Sequence, residues 1–164
     1  MIDDAIATEV LMECEALLEQ EGSVEERLQR LMQLLHDRLP HFHWVGIYWL
    51  RGNELVLGPY VGPPTEHVRI PVGRGVCGTA VAERMNQIVY DVRERENYLA
   101  CNLETRSEIV VLIRHPQTGK IIGQIDVDGT EVGAFDITDE ALLEAIGERI
   151  ARLVCASPPA PQGS

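Results

Sequence analysis

Residues 107–128 have the sequence SEIVVLIRHPQTGKIIGQIDVD, which predicts a β-hairpin. The first strand, 107–114, is a continuous apolar run, and proline and glycine mark the turn before the partner strand at 120–128. Because side chains alternate across a strand, Asp126 and Asp128 point to the same face of this hairpin. Neighbouring carboxyl groups are unfavourable unless a cation or a proton lies between them, so the pattern indicates either a solvent-facing strand end or a binding site.

A second predicted hairpin precedes the first in the chain. Residues 43–50 are rich in aromatic and β-branched residues, a tight turn follows, and residues 54–60 form the returning strand. Trp44, Gly46 and Tyr48 share one face of the first strand. Aromatic side chains in a strand usually pack in a core, and the alternative for this Trp-Gly-Tyr face is the floor of a pocket.

Amphipathic helices are predicted at both ends of the chain. Residues 3–20 carry apolar side chains at helical spacing, and Ser23 with Glu26 has the form of a capping box for a second helix, which Pro40 ends. Thr138 is predicted to cap the last helix. Antiparallel strands between terminal helices predict an α+β fold, in which a central antiparallel sheet has the N- and C-terminal helices on one face and loops on the other.

The segment between the hairpins carries two of the four cysteines. Short strands are predicted at 67–71 and 87–90, and a short helix at 76–85 has Cys77 in its first turn. The positive end of the helix dipole favours the thiolate form of a cysteine at that position. Cys101 follows at the end of a polar stretch. A thiol pair between glycine-rich turns and carboxyl groups has the composition of a reactive site.

With 164 residues, 45% of them hydrophobic, the chain has the size and composition of one globular domain. We expect that domain to span residues 1–155 and a disordered, Pro-rich tail to follow at 156–164. A formal net charge of −12 without a basic patch disfavours nucleic-acid and membrane partners. The acidic N-terminus, and apolar runs all well short of about 18 residues, predict a cytoplasmic protein without a secretory signal or a membrane span.

The cysteines stand at positions 14, 77, 101 and 155, without a CxxC pair. In a cytoplasmic chain this spacing argues against a disulfide framework and against a structural zinc site. Cys14 lies on the apolar stripe of the first helix and is predicted to be a buried core residue. Some of the other thiols are expected to be chemically active.

The order of the predicted elements resembles that of a GAF domain. Within that fold, several local sequences resemble those of the free methionine-(R)-sulfoxide reductases in order and spacing. They are Trp44-Val-Gly-Ile-Tyr48, Gly73-Arg-Gly-Val-Cys-Gly-Thr79, Leu99-Ala-Cys101, Ser107-Glu-Ile-Val-Val111 and Ile125-Asp-Val-Asp128. The similarity covers about residues 40–150, so the chain is expected to be a single GAF domain. A GAF fold alone does not define a function, which has to be argued from the site.

The resemblance implies a division of roles among the site residues. Cys101 stands at the position of the nucleophile, and Cys77 at the position of a partner thiol. The other matching positions are the site carboxylates and the aromatic wall for the substrate: Glu108, Asp126, Asp128, Trp44 and Tyr48. The chain departs from the family at His67, where many members carry a third cysteine, and this leaves Cys77 as the candidate resolving thiol.

The activity that the resemblance implies is the thiol-dependent reduction of free methionine-(R)-sulfoxide to methionine. Cys101 would attack the sulfoxide sulfur while a carboxylic acid protonates the oxygen, which leaves Cys101 as a sulfenic acid. Cys77 would resolve the sulfenic acid as an intramolecular disulfide, which a thioredoxin-type reductant reopens. The carboxylates that do not act as the acid would hold the ammonium group of the free amino acid. The scheme requires no metal and no organic cofactor.

Two other functions stay open for the same residues. A non-catalytic GAF sensor would bind a small molecule, or respond to oxidants through the same cysteines, and stoichiometric binding without turnover would identify it. A dimerisation domain that uses the first and last helices would leave the cysteines and carboxylates unexplained. A homodimer is an open alternative for the assembly.

Overall fold

A six-stranded antiparallel sheet forms the centre of the protein in a computed structural model that describes residues 1–95, 98 and 103–156. Its strands, numbered along the chain, are β1 (Trp44–Arg51), β2 (Glu54–Val61), β3 (Arg69–Pro71), β4 (Gln87–Val89), β5 (Ser107–Arg114) and β6 (Ile121–Gly129). They lie in the order β3-β2-β1-β6-β5-β4. Both predicted hairpins are confirmed as β1–β2 and β5–β6, and they meet in the middle of the sheet through β1 and β6.

The described residues contain α-helices on both faces of the sheet and a short 3₁₀ helix at Val92–Glu94. The α-helices are α1 (Asp4–Leu18), α2 (Val24–Arg38), α3 (Gly75–Glu83) and α4 (Ile137–Ala156). Helices α1, α2 and α4 pack on one face, as predicted for the terminal helices, and α3 covers the other face. The predicted α+β fold class is therefore confirmed.

Alternate residues of β1 enter two separate hydrophobic cores. Val45, Ile47 and Trp49 pack with the terminal helices in the larger core. Trp44 and Tyr48 join α3 in the smaller core on the opposite face. Because the side-chain period of a strand is two residues, one strand supports both cores, and the Trp-Gly-Tyr face is turned away from the terminal helices.

Cys14 lies in the core between the sheet and the terminal helices, as its position on the apolar stripe of α1 predicts. Burial is the main cause that raises the pKa of its thiol to about 12. Such a thiol stays protonated at neutral pH and is a poor nucleophile. Cys14 is therefore a packing residue, apart from the chemistry on the other face.

The predicted capping box at the start of α2 is confirmed. The backbone N–H of Glu26 donates to the Ser23 hydroxyl at 3.0 Å, and the Ser23 N–H donates to Glu26 Oε1 at 3.2 Å. Helix α2 ends at Arg38, before the predicted stop at Pro40.

The predicted cap of α4 is wrong by two residues. Asp136, and not Thr138, precedes the helix, and its carboxylate accepts the backbone N–H of Thr138 at 2.9 Å. Asp139 returns the bond by accepting the Asp136 N–H at 2.9 Å. This reciprocal pair satisfies two orphan amides at once, which gives Asp136 the advantage over a lone threonine.

Helix α4 continues through Ala156, and residues 157–164 lie outside the described part of the chain. The predicted boundary between a domain at 1–155 and a tail at 156–164 therefore stays a prediction.

Across the described residues, none of the helices is both long enough and apolar enough to span a bilayer.

Candidate active site

The pairing of the central strands brings predicted carboxylates and an aromatic residue onto one face of the sheet. Trp44 of β1 lies opposite Asp128 of β6, and Asp128 lies opposite Glu108 of β5. In the next row, Gly46 lies opposite Asp126. Directly paired residues project to the same side of a sheet, so these residues converge although β1 and β6 stand far apart in the sequence.

Helix α3 covers this face and supplies a thiol. Cys77, in the first turn of α3, is buried, and its thiol donates a hydrogen bond to Glu108 Oε2 at 3.8 Å. One ligand atom each from Cys77, Glu108 and Asp126 lies within 4.8 Å of the others, a spacing at which these residues could hold a metal ion. We call Cys77, Glu108, Asp126 and Asp128 the thiol–carboxylate cluster.

The carboxyl groups of Asp126 and Asp128 are fully buried, and within the described residues none of their oxygens has a hydrogen-bond partner. Burial, which disfavours the charged form, raises the pKa of Asp126 and raises that of Asp128 well above the ordinary carboxyl value. The charge of Asp126 raises the pKa of Asp128 further. Glu108 and Cys77 lie close enough to lower the pKa of Asp126 in part, although neither reaches hydrogen-bonding geometry with it. The interpretation as a solvent-facing strand end is therefore wrong.

Trp44 is the central ring of an aromatic stack beside the thiol–carboxylate cluster. It stacks on Tyr60 with ring centroids 5.4 Å apart and on Tyr48 at 6.3 Å. Its indole Nε1 is buried and has no hydrogen-bond partner among the described residues. The Tyr48 hydroxyl donates to the backbone carbonyl oxygen of His67 at 2.7 Å, which ties the position that departs from the family to this aromatic wall.

Gly46 provides the space that the indole occupies. A Cβ atom at Gly46 would lie 2.6 Å from Cη2 of Trp44 and 2.7 Å from Cβ of Tyr60. Both distances are far below van der Waals contact, so a side chain at this position would displace the ring. The absence of a side chain at Gly46 is thus required for the position of the Trp44 ring in the aromatic wall.

A buried glutamine that was not predicted as a site residue holds the first turn of α3 against the sheet. Gln124 of β6 donates from Nε2 to the backbone carbonyl oxygen of Cys77 at 3.0 Å. Gly78 allows a separate close approach of the helix to the end of β3, since a Cβ atom there would lie 2.6 Å from the Pro71 carbonyl oxygen. The available signal in the sequence was a polar residue two positions before Asp126, and so on the same face of the strand.

The structure brings together all the predicted site residues that it describes: Trp44, Tyr48, Cys77, Glu108, Asp126 and Asp128. The predicted nucleophile, Cys101, lies outside the described residues, and its role stays a prediction. Tyr60 was missed. It pairs directly with Gly46 only because the register of the β1–β2 hairpin shifts by one residue between Gly46 and Tyr48, an irregularity that the sequence pattern does not indicate.

A curled sheet with the terminal helices on one face, and a buried site under a short helix on the other, defines the class of a GAF domain. The GAF domain family matches residues 21–154 of this chain. Similar proteins identify a narrower family within the GAF class.

A free methionine-R-sulfoxide reductase of Escherichia coli (strain K12) is 38% identical over 142 residues, which cover 87% of this chain and 84% of the relative. The X-ray structure of the free methionine-R-sulfoxide reductase from Neisseria meningitidis, in complex with its substrate, is 34% identical with a TM-score of 0.86 and covers 96% of this chain and 94% of that chain. The type II free methionine-R-sulfoxide reductase from Thermoplasma acidophilum is 39% identical with a TM-score of 0.76, over 81% of this chain and 93% of that chain. This chain therefore belongs to the free methionine-R-sulfoxide reductase family of GAF domains.

Proposed function

We propose that this protein reduces free methionine-(R)-sulfoxide to methionine with electrons from its own cysteines. The observation that carries the proposal is the thiol–carboxylate cluster, buried beside the aromatic wall in a chain of this family. The relative from Neisseria meningitidis, whose structure contains its substrate, supports free methionine-R-sulfoxide as the ligand.

The first step requires a nucleophile for sulfur and a proton for oxygen. The Cys101 thiolate attacks the sulfoxide sulfur and forms an S–S bond while the oxygen takes up a proton. The hydroxyl group then transfers to Cys101 Sγ as the S–S bond and the original S–O bond break, so methionine leaves and Cys101 holds a sulfenic acid. Asp128 is the carboxyl group that we assign as the acid, because burial and the neighbouring Asp126 raise its pKa well above the ordinary value. A carboxyl group that is protonated near neutral pH can donate a proton to the sulfoxide oxygen.

The second step regenerates a reduced nucleophile. Cys77 attacks the sulfenic sulfur of Cys101, water leaves, and the two residues form a disulfide. We assign Glu108 as the acceptor of the Cys77 proton, because the thiol donates a hydrogen bond to it. A thioredoxin-type dithiol then reduces the disulfide with two electrons, so these steps need no metal and no organic cofactor. This reductant, the cytoplasmic location and the oligomeric state stay predictions.

The preference for a free amino acid follows from the charge of the site. Ionised carboxylates of the cluster can hold an α-ammonium group, which a peptide-bound methionine sulfoxide lacks. Trp44 and Tyr48 enclose the methyl group, where a sulfur–aromatic contact is worth about 0.3–1.5 kcal/mol. The buried Asp126 carboxyl group, whose oxygens have no hydrogen-bond partner among the described residues, supports this assignment, since a bound ammonium group would supply the missing donors.

Turnover with defined substrates tests the proposed function. The purified protein, with dithiothreitol as reductant, is given free methionine-(R)-sulfoxide, the free (S)-epimer, or N-acetylmethionine-(R)-sulfoxide, and methionine formation is followed by chromatography. We expect multiple turnovers on the free (R)-epimer alone. Stoichiometric binding of the free (R)-epimer without methionine formation would instead support the sensor.

Replacing Cys77 by serine is expected to leave one turnover and to prevent recycling through thioredoxin. The variant should release about one methionine per chain in a burst, because attack by Cys101 does not require the second thiol. The sulfenic acid then has no resolving partner, so thioredoxin with its reductase should sustain almost no further turnover. Cys155→Ser, at the distal end of α4, is the matched control and should recycle normally. Full recycling in Cys77→Ser would remove Cys77 from the resolving role.

Gly46→Ala is expected to raise the KM for the sulfoxide by about two- to tenfold, the range that corresponds to loss of a sulfur–aromatic contact. The new methyl group displaces the Trp44 ring, and overpacking should also lower the free energy of unfolding by about 1–3 kcal/mol. Steady-state kinetics and thermal unfolding check both effects. Gly147→Ala in α4 is the control, because its Cβ would meet the nearest atom at an ordinary 3.7 Å. An unchanged KM in Gly46→Ala would exclude Trp44 from the substrate wall.

A further inference from the structure

The thiol–carboxylate cluster has the ligands and the spacing of a site for a thiophilic divalent cation. Zinc binds thiolate sulfur at about 2.3 Å and carboxylate oxygen at about 2.0–2.2 Å, and a tetrahedral arrangement then separates sulfur from oxygen by about 3.6 Å. Cys77 Sγ and Glu108 Oε2 are already 3.8 Å apart. Because the third ligand atom, from Asp126, completes a group within 4.8 Å, small side-chain movements would bring all three ligands to coordination distance and leave the fourth position to water.

The unpartnered oxygens of the two aspartates point independently to a positively charged ligand. Both carboxyl groups are fully buried, and no described residue donates a hydrogen bond to any of their oxygens. Asp126 contributes an atom to the three-ligand group, and Asp128 lies beside it, directly opposite Glu108. Buried acceptors without donors are rare in proteins and indicate a ligand that satisfies them.

We propose that the reduced protein binds Zn²⁺ in this cluster through Cys77, Glu108 and Asp126, and that the ion competes with substrate. The competition rests on the proposed function, because the ion occupies the carboxylates assigned to the substrate ammonium group. Binding of the ion does not depend on that function. Zinc here is a competitor and not a cofactor.

The ligand set also predicts which ions and which redox state bind. A thiolate favours zinc and cadmium over Mg²⁺ and Ca²⁺, which take hard oxygen ligands in larger numbers. A Cys77 that has been oxidised to a disulfide no longer offers a thiolate. Zinc should therefore bind the reduced protein and be released when Cys77 is oxidised.

Equilibrium dialysis of the reduced, metal-free full-length protein against Zn²⁺ tests the inference without substrate. We expect one ion per chain, no displacement by millimolar Mg²⁺, and an affinity at least about tenfold weaker in Cys77→Ser and in Asp126→Asn. With Cd²⁺ as the probe, an ultraviolet thiolate-to-metal absorption band should appear in the wild type and be lost in Cys77→Ser. Far-ultraviolet circular dichroism of the two near-isosteric variants confirms that they remain folded.

Cys14→Ser and Cys155→Ser are the matched controls, because these residues lie away from the cluster. They should retain both the stoichiometry and the cadmium band. The inference is overturned if Cys77→Ser binds zinc as tightly as the wild type, or if Cys155→Ser is the variant that loses the band. A protein that turns over the sulfoxide but binds no zinc refutes this inference alone, and a protein that binds zinc but never forms methionine refutes the proposed function alone.

Discussion

Replacing Cys101 by serine is expected to abolish methionine formation, including the first turnover. A serine hydroxyl is almost fully protonated at neutral pH and cannot replace a thiolate as the nucleophile for sulfoxide sulfur. The measurement is a single-turnover assay, in which reduced protein without external reductant is mixed with free methionine-(R)-sulfoxide and the methionine is quantified after acid quench. The wild type and Cys77→Ser should each yield about one methionine per chain, and Cys101→Ser none.

The remaining cysteines supply the controls for this experiment. Cys14→Ser changes a thiol on the far side of the sheet, and Cys155→Ser changes one near the end of α4, so both should give the wild-type yield. A full burst in Cys101→Ser would refute the assignment of the nucleophile. The attack would then fall to Cys77, the buried thiol whose hydrogen bond to Glu108 provides an acceptor for its proton.

Replacing Asp128 by asparagine is expected to lower turnover by ~10²–10⁴-fold and to stabilise the fold at neutral pH. The amide fills the same space but cannot deliver the proton that a general acid supplies. The stabilisation follows from the raised pKa of Asp128, since a buried carboxyl group without hydrogen-bond donors opposes folding once the pH favours its ionisation. Loss of activity together with gain of stability is the behaviour of a residue kept for function.

The raised pKa of Asp128 determines how the stability difference between Asp128→Asn and the wild type changes with pH. A carboxyl group whose pKa is raised by folding contributes stability that is fully present below the unfolded pKa of about 3.9 and is lost as the pH rises through the folded value. The melting temperature of Asp128→Asn should therefore exceed that of the wild type by a margin that grows from about pH 5 to about pH 8, at about 2–4 °C for each kcal/mol. A margin that shrinks with rising pH would contradict the raised pKa.

Asp136→Asn is the control with the opposite sign. Hydrogen bonds from Thr138 hold the pKa of Asp136 below its usual range at the start of α4. Its contribution is present above the unfolded pKa and is lost as the pH falls through the folded value. The variant should therefore be less stable than the wild type near neutral pH, and the two should converge in acid.

The sequence predicts which residues share one face of a strand, but it does not predict which distant element packs on that face. Alternation in β6 places Asp126 and Asp128 on one face, yet a strand that ends in Asp-Val-Asp does not disclose that α3, about 50 residues earlier, buries both carboxyl groups. The pairing of β1 with β6 joins residues that lie even farther apart in the sequence. Gln124 was missed for that reason, because its role appears only where it meets the backbone of Cys77.

A helix cap can be predicted from the local sequence when only one residue is a candidate for it. The capping box of Ser23 and Glu26 could be predicted because both partners lie within one turn. Asp136 and Thr138 can each cap a helix, and the choice between them depends on the reciprocal bond from Asp139. The family resemblance supplied the roles of the site residues, which alternation and composition alone left open.

The sheet that separates the two hydrophobic cores also separates two buried cysteines. Cys14 is packed beneath the terminal helices, whereas Cys77 lies under α3 on the opposite face. In the proposed cycle, the sulfenic acid would cross-link to any thiol within reach. The sheet lies between the two cores, and a side chain cannot cross it without unfolding. A packing cysteine such as Cys14 is therefore compatible with the proposed disulfide.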